Sequence, residues 1–255
     1  MNFFQIENKE NIIEIENASF LAGSGTTEQL KNIHLEIKSG SLTAIVGEVG
    51  CGKSLLLESI LGETDKTIGS IQIKDKNDLN IAYVPQQVWI QNLTLKNNIL
   101  FNNSVNNMEY DRIIEACALK TDLEILPAGD NTEIGESGIN LSGGQKQRIG
   151  IARAIYSNAD LYLLDDPLSA VDAHVGKHLF ENVLHSKTGL LKNKTRVIAT
   201  NSLNILQYVD QIIILDEGVI SEQGKYTLLI FIKLITYFVD FLHFLMSLYY
   251  TQISL

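Results

Sequence analysis

The stretch Gly47-Glu48-Val49-Gly50-Cys51-Gly52-Lys53-Ser54 limits what this chain can become more than any other. It matches the pattern G-x-x-x-x-G-K-[ST], in which a strand hands over to a helix around a bound phosphate. The apolar run Leu42 to Val46 reads as a buried strand and Ser54 to Leu61 as a helix, so the pattern has its required setting. Gly50 and Gly52 allow backbone N–H groups to close around a polyphosphate, and the helix start adds its positive dipole end. Gly47, Glu48, Val49 and Cys51 complete the cradle on one side and the first helical residues, to Leu55, on the other. Lys53 is expected to reach the outer phosphates as a point charge, and Ser54 to coordinate Mg²⁺ through its hydroxyl. With glycine at about 7% of residues, a chance match in a chain of this length is on the order of 1%.

The chain has 255 residues and a net charge of −10. That length allows a substantial core, and the acidic balance argues against a nucleic-acid partner, which needs clustered Lys and Arg. Cys51 and Cys117 are too few for a disulfide framework, so a reducing cytosolic face is the expected setting. The N-terminus mixes acidic and apolar residues and lacks the layout of a signal peptide.

Ile12 to Phe20 and Leu30 to Ile37 alternate apolar and polar residues as strands do, suggesting a small β layer beside the loop. Gly69 to Ile73 and Asn80 to Val84 are further short strands. From Asn92 to about Asn158 the pattern turns helical, in Leu93 to Phe101, Met108 to Leu119 and Ser142 to Tyr156, which reads as a helical subdomain set into an α/β core. Leu161 to Leu164, Arg196 to Ala199 and Ile212 to Leu215 then read as strands, Ala173 to Leu184 and Leu203 to Tyr208 as helices. Strands alternating with helices and apolar on both faces imply a mostly parallel sheet, with its ligand at the carboxyl ends of the strands.

Residues 226–255 stand apart. Leu228 to Tyr250 is nearly continuous in apolar residues, with Lys233, Thr236, Asp240, His243 and Ser247 on one helical stripe. Apolar side chains worth roughly −6 kcal/mol against roughly +6 for the central Lys and Asp leave membrane insertion balanced. A docked amphipathic helix, a membrane span and a stretch foreign to the domain remain three open readings.

Two more stretches carry chemistry. Leu161-Tyr162-Leu163-Leu164-Asp165 is an apolar strand ending in an acid, placing Asp165 to hold Mg²⁺ through its water shell opposite Ser54. In Leu141-Ser142-Gly143-Gly144-Gln145, Ser142 is an N-cap and the two glycines leave first-turn amides bare, which makes a second anion site at a helix start.

Together with Lys146-Gln147-Arg148 and Ser169-Ala170-Val171-Asp172, these motifs resemble the nucleotide-binding domain of an ATP-binding cassette (ABC) transporter. Cys51, the run Tyr83 to Asn92 and the run Asp166 to Lys177 are similar to the first cassette of the multidrug-resistance-associated (C) subfamily, fungal vacuolar glutathione-conjugate and metal-resistance pumps in particular. The resemblance spans Ile12 to Gly224. It implies an α/β phosphate-loop NTPase fold of ABC type, with ATP and Mg²⁺ as ligands and Ser142, Gly143, Gly144 and Gln145 contacting nucleotide. It also implies transmembrane domains and a second nucleotide-binding domain as partners, at the cytoplasmic face of a vacuolar or plasma membrane. Cassettes of this kind pair head to tail, one chain's phosphate loop sharing an ATP with the other's LSGGQ. Gln86 is expected to link Mg²⁺ to the transmembrane part, and Trp89 to pack under that loop.

Three positions depart from the general cassette pattern. Asp166 stands where a glutamate usually serves as general base, Asn201 where a histidine contacts the γ phosphate, and Ala22 where an aromatic stacks on adenine. Phe20 is assigned to the core. The departures imply a loop that holds ATP and hydrolyses it poorly, with LSGGQ completing the partner's hydrolytic site. The competing reading is a transport-incompetent ATP-binding fragment.

Overall fold

The computed structural model describes residues 10–23, 25, 27–74, 78–135 and 141–230. Two sheets organise it. Strands β1 (Asn11–Leu21), β2 (Glu28–Lys38) and β4 (Asp65–Ile73) form a three-stranded antiparallel sheet in the order β2-β1-β4. Strands β3 (Leu42–Val46), β5 (Ile81–Val84), β6 (Leu161–Asp165), β7 (Thr195–Ala199), β8 (Gln211–Asp216) and β9 (Val219–Gly224) form a six-stranded sheet in the order β5-β6-β7-β3-β8-β9. Its first five strands run parallel, and β9 closes the edge as an antiparallel hairpin partner of β8.

The parallel strands read as unbroken apolar runs because both faces are covered. In β3, Leu42, Ala44 and Val46 enter the core shared with the helical segment, while Ile45 enters the core shared with the small sheet. In β6, Tyr162 and Leu164 face the first core, and Leu161 and Leu163 the second. Helix α1 (Lys53–Leu61) packs on β6 and β7 and contributes the buried Leu55, Leu56, Leu57 and Ile60 to the second core.

Between β5 and β6 the chain forms α2 (Leu95–Leu100), α3 (Asn107–Ala116), α4 (Lys120–Ile125), a 3₁₀ turn at Gly129–Asn131 and α5 (Gly143–Tyr156). Helices α2, α3 and α5 each start on a side-chain cap. Thr94 accepts from the Asn97 amide, Asn106 from that of Glu109 and Ser142 from that of Gln145.

Several boundaries differ from expectation. β4 begins at Asp65 rather than Gly69; its first residues are exposed, so pairing with β1 rather than apolar burial makes them a strand. α4 and β9 carry no periodic apolar signal and were absent from the expected elements; none of the α4 residues is buried, and β9 alternates only between exposed and half-buried. The helix expected over Ala173 to Leu184 is α6 (Ala173–Leu179) followed by a π turn at Phe180–Leu184, and the helix expected at Leu203–Tyr208 is 3₁₀. Among the described residues no helix is long and apolar enough to cross a membrane; the apolar stretch beyond Ile230 lies outside them.

Candidate functional site

The loop from Gly47 to Gly52 is shaped by close approaches. A Cβ on Gly47 would come 2.1 Å from the Leu215 carbonyl oxygen, so the loop can press against β8 only with a glycine there. Gly52 has φ +107° and caps α1, a backbone state that favours glycine. Around these anchors Glu48, Val49 and Gly50 form an exposed rim, Val49 being 90% exposed. Cys51 is buried beneath the rim, its amide donating to the Glu48 carbonyl at 3.3 Å and its carbonyl accepting from Gly218 at 3.1 Å. The Leu55 side chain is in the core, so only its backbone amide can serve a ligand at this loop.

Lys53 folds back over the loop. Its Nζ donates to the carbonyls of Gly47, at 2.7 Å, and Glu48, at 2.9 Å. An ammonium held by two neutral carbonyls can exchange them for phosphate oxygens. Ser54, one residue on, lies near Asp165 at the end of β6, close enough for its hydroxyl to act on the carboxyl pKa. Burial raises the Asp165 pKa and the neighbouring Asp166 charge adds to this; the Ser54 hydrogen bond and the Lys53 charge oppose it. A serine hydroxyl and a carboxylate, both hard oxygen donors, suit Mg²⁺.

The neighbouring strand ends deliver the remaining candidates to the same edge. Asp166 follows β6 with φ +46°, its amide donating to Ala199 of β7 at 2.8 Å and its carbonyl accepting the Ser169 hydroxyl at 2.8 Å. The Thr200 amide donates to Ile45 of β3 at 3.0 Å, which sets the exposed Asn201 just past that edge. Gln86 is exposed two residues beyond β5. Ala22 is half-buried, and Phe20, 1% exposed, belongs to the core.

The second anion end is separate in construction. Ser142 and Gln145 form a reciprocal capping box: the serine hydroxyl accepts from the Gln145 amide at 3.2 Å, and Gln145 Oε1 accepts from the Ser142 amide at 2.8 Å. Gln145 Nε2 donates to Asp122 at 2.8 Å, and Asp122 also pairs with Arg148. The Gln145 side chain is therefore committed to shaping the helix start, leaving the amides of Gly143 and Gly144 as the donors a helix cannot pair internally. A Cβ on Gly144 would come 2.8 Å from the Ala170 carbonyl, which accounts for the glycine where the segment after Asp166 crosses α5. Asp172 ends that segment as the cap of α6, accepting from the amides of His174 and Val175, and these bonds lower its pKa.

Sequence reasoning missed Asp122, Asn98 and the role of Arg153. All three act across long sequence separations: Arg148 meets Asp122 from α5, and Arg153 meets Asn98 and Trp89. No local pattern announces such pairs.

A glycine loop opening a helix at the carboxyl edge of a parallel sheet, with a lysine and a serine–aspartate pair at its mouth, defines a phosphate-loop nucleotide-binding protein. The family model described as ABC transporter matches residues 30–169, more than half of the chain, and the chain belongs to the ATP-binding cassette family. ABC transporter C family member 8 of Dictyostelium discoideum is 52% identical over 218 residues, covering 86% of this chain and 13% of that protein. ATP-binding cassette sub-family C member 2 of Homo sapiens is 52% identical over 223 residues, covering 88% of this chain and 14% of that protein. Sub-family C member 3 of Homo sapiens is 49% identical over 218 residues, with 86% and 14% covered. The chain spans about one seventh of the length of these relatives.

Proposed function

We propose that this chain is the ATP-binding domain of a C-subfamily exporter, acting as the first of two cassettes that pair head to tail. One observation carries the reading: Lys53 Nζ sits at the mouth of the loop, held by the Gly47 and Glu48 carbonyls, while the next residue, Ser54, is near enough to Asp165 to lower its pKa. Those groups suit the tail of a nucleoside triphosphate and its cation and have no comparable use in a purely structural turn. In this reading the amides of Glu48 to Leu55 and Lys53 bind the triphosphate, and Ser54, Gln86 and Asp165 hold Mg²⁺. The ion supplies charge neutralisation on the phosphates when bound.

Asp166 and Asn201 would face the γ phosphate. Asp166 is one methylene short of the usual base, and an amide at 201 neither titrates nor reaches as an imidazole does. The loop then retains ATP and turns it over slowly. Ser142, Gly143, Gly144 and the helix start shaped by Gln145 complete the site of the second nucleotide-binding domain, where hydrolysis proceeds. The division of residues 1–225 into a cassette with a helical subdomain over about 92–158, and 226–255 as a separate tail, is part of the same proposal. So are the transmembrane domains as partners and a place at the cytoplasmic face of a vacuolar or plasma membrane. A cargo of xenobiotic, glutathione or metal conjugates rests on the resemblance to fungal pumps.

Calorimetric titration of the full chain with Mg·ATP, followed by phosphate release with and without a second C-subfamily cassette, tests the reading. Binding by the chain alone with little turnover, and turnover that rises on mixing, is the expected result. A chain with no affinity for Mg·ATP overturns it.

A further inference from the structure

The turn between β8 and β9 has two residues, Glu217 and Gly218, since Asp216 pairs with Val219 across it. Both have positive φ, +42° and +82°, as the type I′ turn of a two-residue hairpin requires. The turn is pressed onto β2. A Cβ on Gly218 would come 1.9 Å from the Gln29 carbonyl oxygen, and the Gly218 carbonyl accepts from the Lys31 amide at 2.8 Å. Only glycine fits that approach. Seated there, Gly218 turns its own amide to the phosphate loop and donates to the Cys51 carbonyl at 3.1 Å.

That bond falls on the peptide joining Cys51 to Gly52. A trans peptide is planar, so its C=O and N–H point in opposite directions. With the Cys51 carbonyl held toward the hairpin, the Gly52 N–H faces away from it. The other contacts of Gly52 fix where the residue sits and not how this plane is turned. Leu30 Cδ2 lies 2.9 Å from where a Cβ on Gly52 would stand, and the Gly52 carbonyl accepts from the Leu56 amide at 2.9 Å.

We propose that Gly218 is a positioning residue for the phosphate loop: its amide fixes the Cys51–Gly52 peptide so that the Gly52 N–H is aimed at the phosphates. The proposal rests on the reading of the loop given under Proposed function. A cradle built of inward amides needs its carbonyls turned outward, and each outward carbonyl taken from water needs a donor. Lys53 serves the Gly47 and Glu48 carbonyls with the same ammonium that the phosphates would draw away. Gly218 serves the Cys51 carbonyl from outside the site, so its bond outlasts the arrival of ligand.

The test uses the full chain carrying ¹⁵N in glycine and ¹³C in the cysteine carbonyl, with Mg·ATP as the probe. Of the two cysteines Cys51 is followed by a glycine and Cys117 by an alanine, so a carbonyl-selected spectrum shows one amide, that of Gly52. In the wild type Mg·ATP moves the Gly52 amide proton downfield, and a coupling across the hydrogen bond joins the Gly218 nitrogen to the Cys51 carbonyl with and without ligand. In Gly218→Ala, affinity by calorimetry falls about 10-fold or more, the scale of one hydrogen bond to a charged group, and the Gly52 response is lost. A glycine that serves the fold alone would lower the thermal midpoint while the folded variant kept wild-type affinity and the Gly52 response, and that result overturns the proposal. If Gly218→Ala does not fold, the wild-type spectra decide: a nucleotide-bound chain without the Gly218–Cys51 coupling, or with the Gly52 amide unmoved, overturns it equally. Absence of Mg·ATP binding by the wild type in calorimetry is a different failure, that of the nucleotide-site reading itself.

Discussion

The ammonium of Lys53 rests 2.7 Å from the Gly47 carbonyl oxygen, so the two ends of the phosphate loop are tied by the group that would bind its ligand. Lys53→Ala removes a charged donor from the triphosphate and two bonds from the loop. ATP affinity should fall about 100-fold, in line with about 2–3 kcal/mol for charged hydrogen bonds. The thermal midpoint should move by less than about 3 °C, because α1 keeps its buried leucines. Calorimetry and a melting curve on the same preparation check both parts.

Asp165 gives a pH signature. Burial raises its pKa above the ordinary carboxylate value, so the folded chain holds this proton more tightly than the unfolded chain. The stability this group contributes is fully present below the unfolded carboxylate pKa and is lost as pH rises through the raised one. At neutral pH its charge is therefore a cost in the nucleotide-free protein. Asp165→Asn should melt higher than wild type at neutral pH, with the gain fading in acid, and should lose the enhancement of ATP binding by Mg²⁺. Melting curves across the acidic range check the sign; a variant less stable than wild type at neutral pH contradicts it.

Asp166 occupies a left-handed backbone position, φ +46°, which aspartate tolerates better than glutamate. Asp166→Glu should cost about 1 kcal/mol of stability and raise turnover only a few-fold while Asn201 remains. The pair Asp166→Glu with Asn201→His should raise it on the order of 100-fold, the scale of a positioned base. Phosphate release in the presence of a hydrolysis-deficient partner cassette measures this, and a large gain from Asp166→Glu alone shows that Asn201 matters little.

Arg196 is buried at the opposite end of the sheet, donating to the carbonyls of Leu184 at 2.6 Å and Gly40 at 3.3 Å. Burial pushes its pKa down to about 10, with the Asp210 charge opposing, so it stays charged at neutral pH. Arg196→Met leaves those carbonyls and Asp210 without their cation and should cost about 3 kcal/mol of stability. Nucleotide affinity of the folded fraction should be unchanged, which denaturant titration and calorimetry separate.

The sequence made the parallel strands legible because residues such as Leu42 to Val46 and Leu161 to Leu164 are buried on both faces, and the Ser142 cap legible because it stands just before its helix. The exposed elements were not legible. α4 buries none of its side chains, and the start of β4 is a strand through pairing with β1. At the site, local motifs located the loop, the strand-end acids and the helix start, but not what the Gln145 side chain does there. Its partner Asp122 lies 23 residues away and leaves no periodic trace.

In the proposed arrangement the two amide-lined ends of this chain grip different ATP molecules, and the variant Ser142→Asp distinguishes this from a shared nucleotide. Aspartate caps a helix as well as serine does while placing a negative charge where a shared phosphate would lie. The measurement is the Mg·ATP affinity of the monomeric variant. The wild-type value is expected, since in the proposed arrangement the chain's own nucleotide never meets residue 142. A loss of affinity approaching that of Lys53→Ala would show that one nucleotide touches both ends, and would contradict it.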